Sequence, residues 1–271
     1  MSNERRSELL KCLRKRESLI KYLIEDTTGK RALTEKLDVS RPTVDRAFRE
    51  LEEIGFIESQ GTDYRPTLYG QLAFEQYEMF TNTIDQLLKG EDMFIHLPPS
   101  RPIDYKVLEG AEIRSAPRHA PHEPLLQVRE LVKPAHQITG LSPVVLPDLV
   151  RLFHEQIVEN RVAAEFILQE PLIETITANY KNELDEVLES GRASFRETNE
   201  MIPFGLLIID DETVWVGIYD LEGSLQGTIT NDSTDAVAWA TEIYQSYRND
   251  SQEVLFQGDS SPAPRLEDAT P

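Results

Sequence analysis

The sequence has one cysteine, five histidines and no long apolar run. A single Cys12 excludes an internal disulfide and leaves no cysteine–histidine cluster with the spacing of a metal site. No apolar stretch approaches the roughly 20 residues of a transmembrane helix, and the charged N-terminus is unlike a signal peptide. These absences predict a soluble, cytoplasmic protein with no membrane partner, no bound metal and no cofactor.

Lysine is also scarce. The chain contains 9 Lys against 19 Arg, and its 28 basic residues face 48 acidic ones, for a net charge of −20. An acidic, lysine-poor surface is favoured in concentrated salt, because salt screens the repulsion between like charges. The composition therefore indicates a halophilic protein, with an ordinary acidic mesophilic protein as the alternative.

The charge is distributed unevenly along the chain. Residues 1–49 carry 13 basic and 8 acidic side chains, whereas residues 71–271 carry 14 basic and 35 acidic ones. This asymmetry predicts that only the N-terminal segment contacts a polyanion such as DNA.

Residues 1–68 have the pattern of a winged helix-turn-helix domain. Apolar residues recur at helical spacing from residue 17, at Leu19, Ile20, Leu23 and Ile24, and a short helix with Ala32, Leu33 and Leu37 follows. Ser40 is a suitable N-cap for a third helix, with Pro42 in its first turn and Gly55 at its end. Two strand-like stretches around residues 61–63 would form the wing.

The segment "DVSRPTVDRAFRELEEIGFI" closely resembles the winged helix-turn-helix of bacterial and archaeal transcription regulators, and the resemblance covers about residues 15–68. It implies a recognition helix in the major groove of double-stranded operator DNA. The predicted DNA-binding residues are Lys30, Arg31, Ser40, Arg41, Thr43, Arg46, Arg49, Tyr64 and Arg65. A winged helix that makes only protein contacts is the alternative.

Residues 69–102 are predicted to link two domains and to hold a dimerisation helix. Ala73, Tyr77, Phe80, Ile84 and Leu87 follow one another at spacings of four and three residues, as in a short heptad seam. A homodimer would suit a palindromic operator. The alternative is a helix that docks on its own domain.

Residues 103–252 alternate between strand and helix patterns, which predicts an α/β domain, and the polar tail 253–271 is predicted to be disordered. "FGLLIID" is an unbroken apolar run, typical of a central strand covered on both faces. Strand-like segments fall at 105–114, 137–145, 161–168, 192–198, 204–210, 213–219 and 225–230. Helical segments fall at 122–135, 147–160, 171–190 and 233–250.

The stretches "PIDYKVLEGAEI", "LSPVV" and "PFGL", and an "ND" before the last helix, resemble the effector domain of the archaeal FilR-family regulators, especially haloarchaeal members. The resemblance spans about residues 103–250. The architecture is also similar to TrmB-type regulators, which implies a half phospholipase D fold. Alignment of Asp210 with the phospholipase aspartate places Pro203 at the nucleophilic histidine and Gly205 at the lysine. Neither residue can perform that chemistry, so the resemblance implies a catalytically dead domain.

Other catalytic patterns are missing from the sequence, which contains no GxSxG, P-loop or HExxH motif. We therefore expect no catalytic residue. His119 and His122 are interpreted as surface histidines, and His154 as a helix-packing residue. Arg118, His119, Ser142 and His154 are the weak candidates for a ligand pocket at the strand ends.

The sequence thus predicts a dimeric, DNA-binding transcription regulator whose operator binding responds to an unknown small-molecule effector held in the C-terminal domain. Two alternatives stay open: a phospholipase D-type enzyme with an appended winged helix, and a ligandless regulator that binds a partner. The residues at 203 and 205 argue against the enzyme.

Overall fold

The computed structural model describes residues 3–25, 33–34, 36, 39–61, 63–99, 103–117 and 123–256. The chain divides into two compact units, residues 1–84 and 85–271. No helix within these described ranges combines the length and apolar character that a membrane span requires.

The described residues of the N-terminal unit form helices and one hairpin. Leu33, Thr34 and Lys36 are also helical, between the first two long helices. The elements are α1 (Asn3–Glu25), α2 (Arg41–Ile54), β1 (Ile57–Gln60), β2 (Asp63–Pro66) and α3 (Leu68–Lys89).

Helix α1 begins well before residue 17, where the apolar spacing first became regular. Leu13, Ile20 and Leu23 are fully buried at spacings close to whole helical turns, so one stripe of α1 faces the core of this unit. Ile24, which the pattern placed on the same stripe, is 42% exposed. Because the mixed polar sequence before residue 17 has no regular apolar spacing, the first four turns of α1 were not predicted.

Helix α2 begins and ends at the residues that the sequence predicts. Ser40 occupies the N-cap with extended backbone, and Pro42 lies in the first turn. Gly55 ends the helix with φ of 85°, and the N–H of Phe56 donates to the carbonyl of Leu51. Val44, Ala47, Phe48 and Leu51 are buried on one face, and Ile54 is partly buried.

The start of α3 depends on a close backbone approach. A Cβ on Gly70 would lie 2.1 Å from the carbonyl oxygen of Phe56. The Thr67 hydroxyl donates to the Gly55 carbonyl at 2.7 Å and accepts from the Gly70 N–H at 3.0 Å. Only glycine permits this packing of α3 against the end of α2.

The C-terminal unit is a mixed α/β domain, as the sequence predicts. Its helices in the described residues are α4 (Glu91–Phe94), α5 (Tyr105–Leu108), α6 (Glu123–Val132), α7 (Pro147–His154), α8 (Glu170–Asn179), α9 (Lys181–Glu189) and α10 (Thr234–Asn249). Its strands there are β3 (Glu112–Ser115), β4 (Gln137–Ser142), β5 (Ala163–Gln169), β6 (Ala193–Thr198), β7 (Gly205–Ile209), β8 (Thr213–Tyr219), β9 (Leu225–Asn231) and β10 (Gln252–Glu253).

These strands form one eight-stranded sheet in the order β10-β6-β5-β4-β7-β8-β9-β3. Strands β4, β5 and β6 are parallel, and the pairs from β4 through β7, β8 and β9 to β3 are antiparallel. All five residues of β7 are buried at the centre of the sheet. The apolar run "FGLLIID" therefore has the position that its composition predicts.

Helices cover both faces of this sheet. One face packs against α10, through Trp239, Ala240 and Tyr244, and against residues of α4 and α5. The other face packs against α6, α7 and α9, and the helix after α7 continues as a π-helical turn, Glu155–Glu159. The unit is a three-layer α/β/α arrangement.

Three local predictions are wrong. The segment 105–114 is helix α5 followed by β3, because Asp104 caps a helical turn by accepting from the N–H of Lys106 at 3.0 Å. The helical pattern 171–190 is two helices, which separate at Tyr180. Glu253, the first residue of the predicted disordered tail, pairs with β6, and the N–H of Val254 donates to the Phe195 carbonyl at 2.9 Å. Residues 257–271 lie outside the described part of the chain.

Candidate nucleic-acid interface and ligand cavity

The exposed face of α2 carries three arginines, Arg41, Arg46 and Arg49, all exposed to solvent. The Nε of Arg46 donates to the carbonyl of Pro42 at 3.2 Å. Arg41 and Arg49 make no ion pair or hydrogen bond with any described side chain. The opposite face of the helix is buried, so α2 presents its guanidinium groups outward.

Ser40 and Thr43 stabilise the start of this helix. The carbonyl of Ser40 accepts hydrogen bonds from the N–H groups of Thr43, at 2.9 Å, and Val44, at 3.1 Å. The two hydroxyls of Ser40 and Thr43 lie 2.8 Å apart and bond to each other, so Ser40 makes no side-chain cap to the backbone. Ser40 is exposed and Thr43 is partly buried.

The hairpin side chains are less available than those of α2. Arg65 pairs with Glu58 across the strands at 2.7 Å, and both side chains are about half exposed. The ring of Tyr64 packs edge-on against Phe48 with centroids 4.4 Å apart. Tyr64 therefore holds the hairpin against α2, and sequence reasoning missed both contacts because the pairing register is needed to see them.

Four predicted site residues, Lys30, Arg31, Arg118 and His119, lie outside the described residues. The same holds for His122.

Ion pairs between Glu50 of α2 and two basic residues of α1 hold the two helices together. Glu50 accepts from Arg16 at 2.7 Å and lies 3.4 Å from the Lys15 ammonium. Burial raises the pKa of the Glu50 carboxyl, but the hydrogen bonds and charges of Arg16 and Lys15 outweigh burial and hold the pKa below its ordinary value. Two of the basic residues of α1, Lys15 and Arg16, thus form ion pairs inside this unit.

Cys12 is buried in the core of the N-terminal unit. Burial, and then the nearby Glu50 carboxylate, raise the pKa of its thiol to about 11. The thiol stays protonated at neutral pH, so it is a packing group rather than a nucleophile.

The predicted heptad seam of α3 splits into two parts. Tyr77 is buried and Ala73 packs against the core of the same unit. Phe80 is 60% exposed, Ile84 is 39% exposed and Leu87 is 40% exposed. The first part of the helix docks on its own unit, and the second part leaves apolar side chains uncovered.

A cavity of about 110 Å³ lies in the C-terminal unit between one face of the sheet and helices α7, α8 and α9. Its wall is almost entirely apolar. The described lining residues are Leu141, Ser142, Val144, Val145, Leu146, Leu149, Val150, Phe153, His154, Ile157, Phe166, Leu168, Ile176, Tyr180, Glu183, Leu184, Val187, Phe195, Gly205, Leu207, Trp215 and Tyr219.

Two paired glycines shape the floor of this cavity. Gly205 on β7 is the direct partner of Gly217 on β8. A Cβ on Gly217 would lie 2.3 Å from the ring of Trp215, and one on Gly205 would lie 3.2 Å from the ring of Tyr219. The missing side chains leave room for both rings to lie across the sheet. No short sequence motif marks this arrangement, because it depends on the strand register.

Two predicted pocket residues, Ser142 and His154, both line the cavity. The Ser142 hydroxyl donates to the Val144 carbonyl at 2.7 Å. The Nε2 atom of His154 lies 2.7 Å from the Glu186 carboxylate. The structure thus brings the two residues to one cavity, where each already has a partner.

Three other polar side chains of the lining have no partner among the described residues. The indole N–H of Trp215 is buried and donates to none of them. The Tyr219 hydroxyl and the Glu183 carboxylate also make no hydrogen bond there. Burial alone raises the pKa of Tyr219, so its hydroxyl is neutral. Sequence analysis missed these residues because nothing in their local pattern sets them apart from packing residues.

Asp210, the residue used to test for phospholipase chemistry, has a structural role. It lies in the tight turn between β7 and β8 with φ of 52°. Its Oδ1 atom accepts from the N–H groups of His136 and Gln137, both at 2.8 Å. The carboxylate therefore fixes the β7–β8 turn to the start of β4.

Within the ranges that the structure describes, no group of three or more His, Cys, Asp or Glu side chains is arranged to hold a metal ion.

Two models of known protein families match this chain. Residues 121–250 match the middle domain of the methanogenesis regulatory protein FilR1. Residues 4–88 match the HVO_A0261 N-terminal domain. No curated protein matches the chain.

Several solved structures are similar. TrmBL2, described as an archaeal chromatin protein with a novel mode of DNA binding, is 16% identical with a TM-score of 0.42, over 93% of this chain and 100% of its own. The phospholipase D family member Nuc from Salmonella typhimurium is 13% identical with a TM-score of 0.43, over 54% of this chain and 98% of its own. NucT from Helicobacter pylori is 12% identical with a TM-score of 0.42, over 53% of this chain and 98% of its own.

None of these TM-scores reaches 0.5, so the architecture described above rests on this chain's own strands and helices. The resemblance to the FilR family, expected over residues 103–250, is confirmed for residues 121–250, which are similar to the middle domain of a regulatory protein.

Proposed function

We propose that this protein is a homodimeric, DNA-binding transcription regulator of archaeal type. Its N-terminal unit binds double-stranded operator DNA, and a small molecule in the cavity of the C-terminal unit modulates that binding. The name of the matched family, a methanogenesis regulatory protein, supports a role in regulation.

The observation that carries this proposal is the set of outward arginines on α2. In a chain with 48 acidic side chains, Arg41 and Arg49 still have no carboxylate partner in the described residues. Exposed guanidinium groups without a partner suit phosphate oxygens and the O6 and N7 atoms of guanine, which accept two hydrogen bonds from arginine.

The arginines also stand at the places that a recognition helix would use. Arg41 is the first residue of α2 and Arg46 lies about one turn further, where side chains of such a helix reach base edges. We assign Ser40 and Thr43 to the same end of the helix, Arg49 to the DNA backbone, and Lys30, Arg31, Tyr64 and Arg65 to flanking contacts.

The exposed part of α3 supports the proposal of a dimer. Phe80, Ile84 and Leu87 lie on one side of the helix at spacings of four and three residues, and each is at least 39% exposed. A second copy of this helix would cover them. Two-fold symmetry would place two α2 helices on the two halves of a palindromic operator.

The cavity supplies the response to a ligand. It lies between the sheet and three helices, and it includes the predicted pocket residues Ser142 and His154. A ligand that binds one arrangement of these helices more tightly than another shifts the balance between them. We propose that this shift changes the operator affinity of the dimer, and that the acidic surface adapts the protein to a halophilic cytoplasm.

The test is equilibrium DNA binding by the full chain. Selection from random duplexes identifies the preferred operator, and fluorescence anisotropy then compares wild type with Arg41→Ala and Arg46→Ala. Each variant should lose about 1–3 kcal/mol of binding free energy on the operator and less on random DNA. Arg151→Ala, which removes an exposed arginine of α7, is the matched control and should bind as wild type does.

Two results would overturn the proposal. One is a selection that enriches no sequence. The other is an operator affinity that Arg41→Ala and Arg46→Ala leave at the level of the Arg151→Ala control.

A further inference from the structure

The cavity has an electrostatic character that selects among ligands. Of the described residues that line it, none is lysine or arginine, and the histidine is paired with Glu186. A buried anion needs a cation or several donors to replace its water, and an unpaired one is expensive to bury. Phosphates and carboxylic acids therefore find no counter-charge in this lining.

The lining does contain one acidic residue, Glu183, on helix α9. It is partly buried and makes no ion pair or hydrogen bond with any described residue. Two acidic neighbours on the same helix are paired: Asp185 with Lys181 at 2.8 Å, and Glu186 with His154 at 2.7 Å. Glu183 is thus the carboxylate of the cavity wall that is left to meet a positive charge.

Aromatic rings make up much of the remaining wall. Phe153 and Phe166 lie 4.9 Å apart between ring centroids, and Phe166 and Phe195 lie 6.1 Å apart. Trp215 and Tyr219 complete the floor across the glycine pair. Aromatic faces attract cations as well as apolar groups, most strongly where water is excluded.

We propose that the cavity binds a small apolar amine, with its apolar body among the aromatic rings and its protonated nitrogen beside the Glu183 carboxylate. The volume of about 110 Å³ is of the size that admits a single aromatic ring. This assignment rests on the proposed function for its regulatory role, because it names the class of effector that the cavity would sense.

Three probes of nearly equal shape test the charge preference. They are 2-phenylethylamine, which is cationic, 2-phenylethanol, which is neutral, and phenylacetate, which is anionic. Binding to the full chain is followed by thermal stabilisation and by tryptophan fluorescence. We expect the amine to bind about tenfold more tightly than the alcohol, and the acid to bind most weakly.

Variants separate the carboxylate from the rest of the cavity. Glu183→Gln should weaken the amine to the level of the alcohol and leave the alcohol unchanged, because the shape of the wall is kept. Glu189→Gln, at an exposed acidic residue of the same helix outside the cavity lining, should leave all three affinities unchanged.

Three outcomes would overturn the assignment: phenylacetate binding at least as tightly as the amine, an amine-to-alcohol ratio that Glu183→Gln does not change, or no binding of any probe up to about 10 mM. Operator affinity, measured with and without the amine, separates this inference from the proposed function. Glu183-dependent amine binding that leaves operator affinity unchanged would support the assignment and contradict the ligand response. Operator binding by a chain that takes up no amine would contradict the assignment and support the DNA-binding part of the proposed function.

Discussion

The two units of this protein differ in where their charged and apolar groups lie. The N-terminal unit displays Arg41 and Arg49 on an exposed helix face, with no described carboxylate to pair with them. The C-terminal unit belongs to the strongly acidic part of the chain and contains an apolar cavity. This contrast supports the proposal that the first unit contacts a polyanion through its surface and that the second holds a ligand.

A buried charge in the C-terminal unit shows the contrast most clearly. Glu165 on β5 has a side chain that is 9% exposed, and it accepts from the Nε of Arg248 at 2.8 Å and from the Tyr244 hydroxyl. Burial raises its pKa, but these hydrogen bonds and the charges of Arg248 and Arg196 hold the pKa below the ordinary value. The Glu165 carboxylate and the Arg248 guanidinium thus pair with each other inside the protein, whereas the guanidinium groups of α2 face solvent.

The largest expected effect concerns the exposed part of α3. A Phe80→Glu, Ile84→Glu double variant should separate the proposed dimer, because two carboxylates from each protomer would enter an apolar interface. Operator affinity should fall by about 100-fold or more, since the two half-sites are no longer bound together. Light scattering and anisotropy measure the two effects. Leu221→Glu, at a fully exposed residue of the C-terminal unit, is the control. A double variant that stays dimeric would place the interface elsewhere.

The next effect tests the buried charge. Glu165→Gln removes the carboxylate charge beside Arg248 and Arg196 and should reduce the free energy of unfolding of the C-terminal unit by about 2–3 kcal/mol. Glu242→Gln, on the exposed side of α10, should change it little. Chemical denaturation followed by tryptophan fluorescence reports this unit, because Trp215 and Trp239 both lie in it. Equal stabilities of the two variants would refute a stabilising role for Glu165.

The same pair of variants gives a pH dependence. The pKa of Glu165 is lowered in the folded state, so its carboxylate contributes its full stabilisation above the ordinary carboxyl pKa of about 4.3. That contribution is lost as the pH falls through the lowered folded value. The gap in stability between wild type and Glu165→Gln should therefore be constant near neutrality and close in acid. A gap that widens in acid would contradict the direction of the shift.

The smallest expected effect is on operator binding by a variant of the hairpin, in comparison with a variant of α2. Arg65 is already paired with Glu58, so Arg65→Ala should cost operator binding less than about 0.5 kcal/mol, well below the cost of Arg41→Ala. Competition anisotropy resolves this difference. A loss from Arg65→Ala as large as that from Arg41→Ala would mean that the ion pair opens on DNA.

The sequence predicted the elements whose signals are local. Ser40, Pro42 and Gly55 mark the two ends of α2 through capping and backbone conformation alone, so both ends could be predicted. The central position of β7 was predicted from an unbroken apolar run, and all five residues of the strand are buried. Such features depend on neighbours within one turn or one strand.

Features that depend on pairing between distant segments were not predictable. The Gly205–Gly217 pair that shapes the cavity depends on the β7–β8 register, and the Arg65–Glu58 pair depends on the hairpin register. Glu183 became a candidate only because its helical neighbours are paired and it is not. The apolar period of α3 correctly marked one face of the helix but could not show that Tyr77 packs inward while Phe80 stays exposed.

The salt dependence of operator binding tests the central claim that the arginines of α2 carry the contact with DNA. Each phosphate contact contributes about 0.9 to the slope of log affinity against log salt concentration. We predict a shallow slope for the full chain, with binding that persists near molar potassium chloride, because salt also screens the repulsion between DNA and the acidic residues after position 70. The triple variant Arg41→Ala, Arg46→Ala, Arg49→Ala should lower the slope by about 1, because Arg49 is the one of the three assigned to the DNA backbone. The Arg151→Ala control should keep the slope of wild type, and a triple variant that keeps it too would contradict the account.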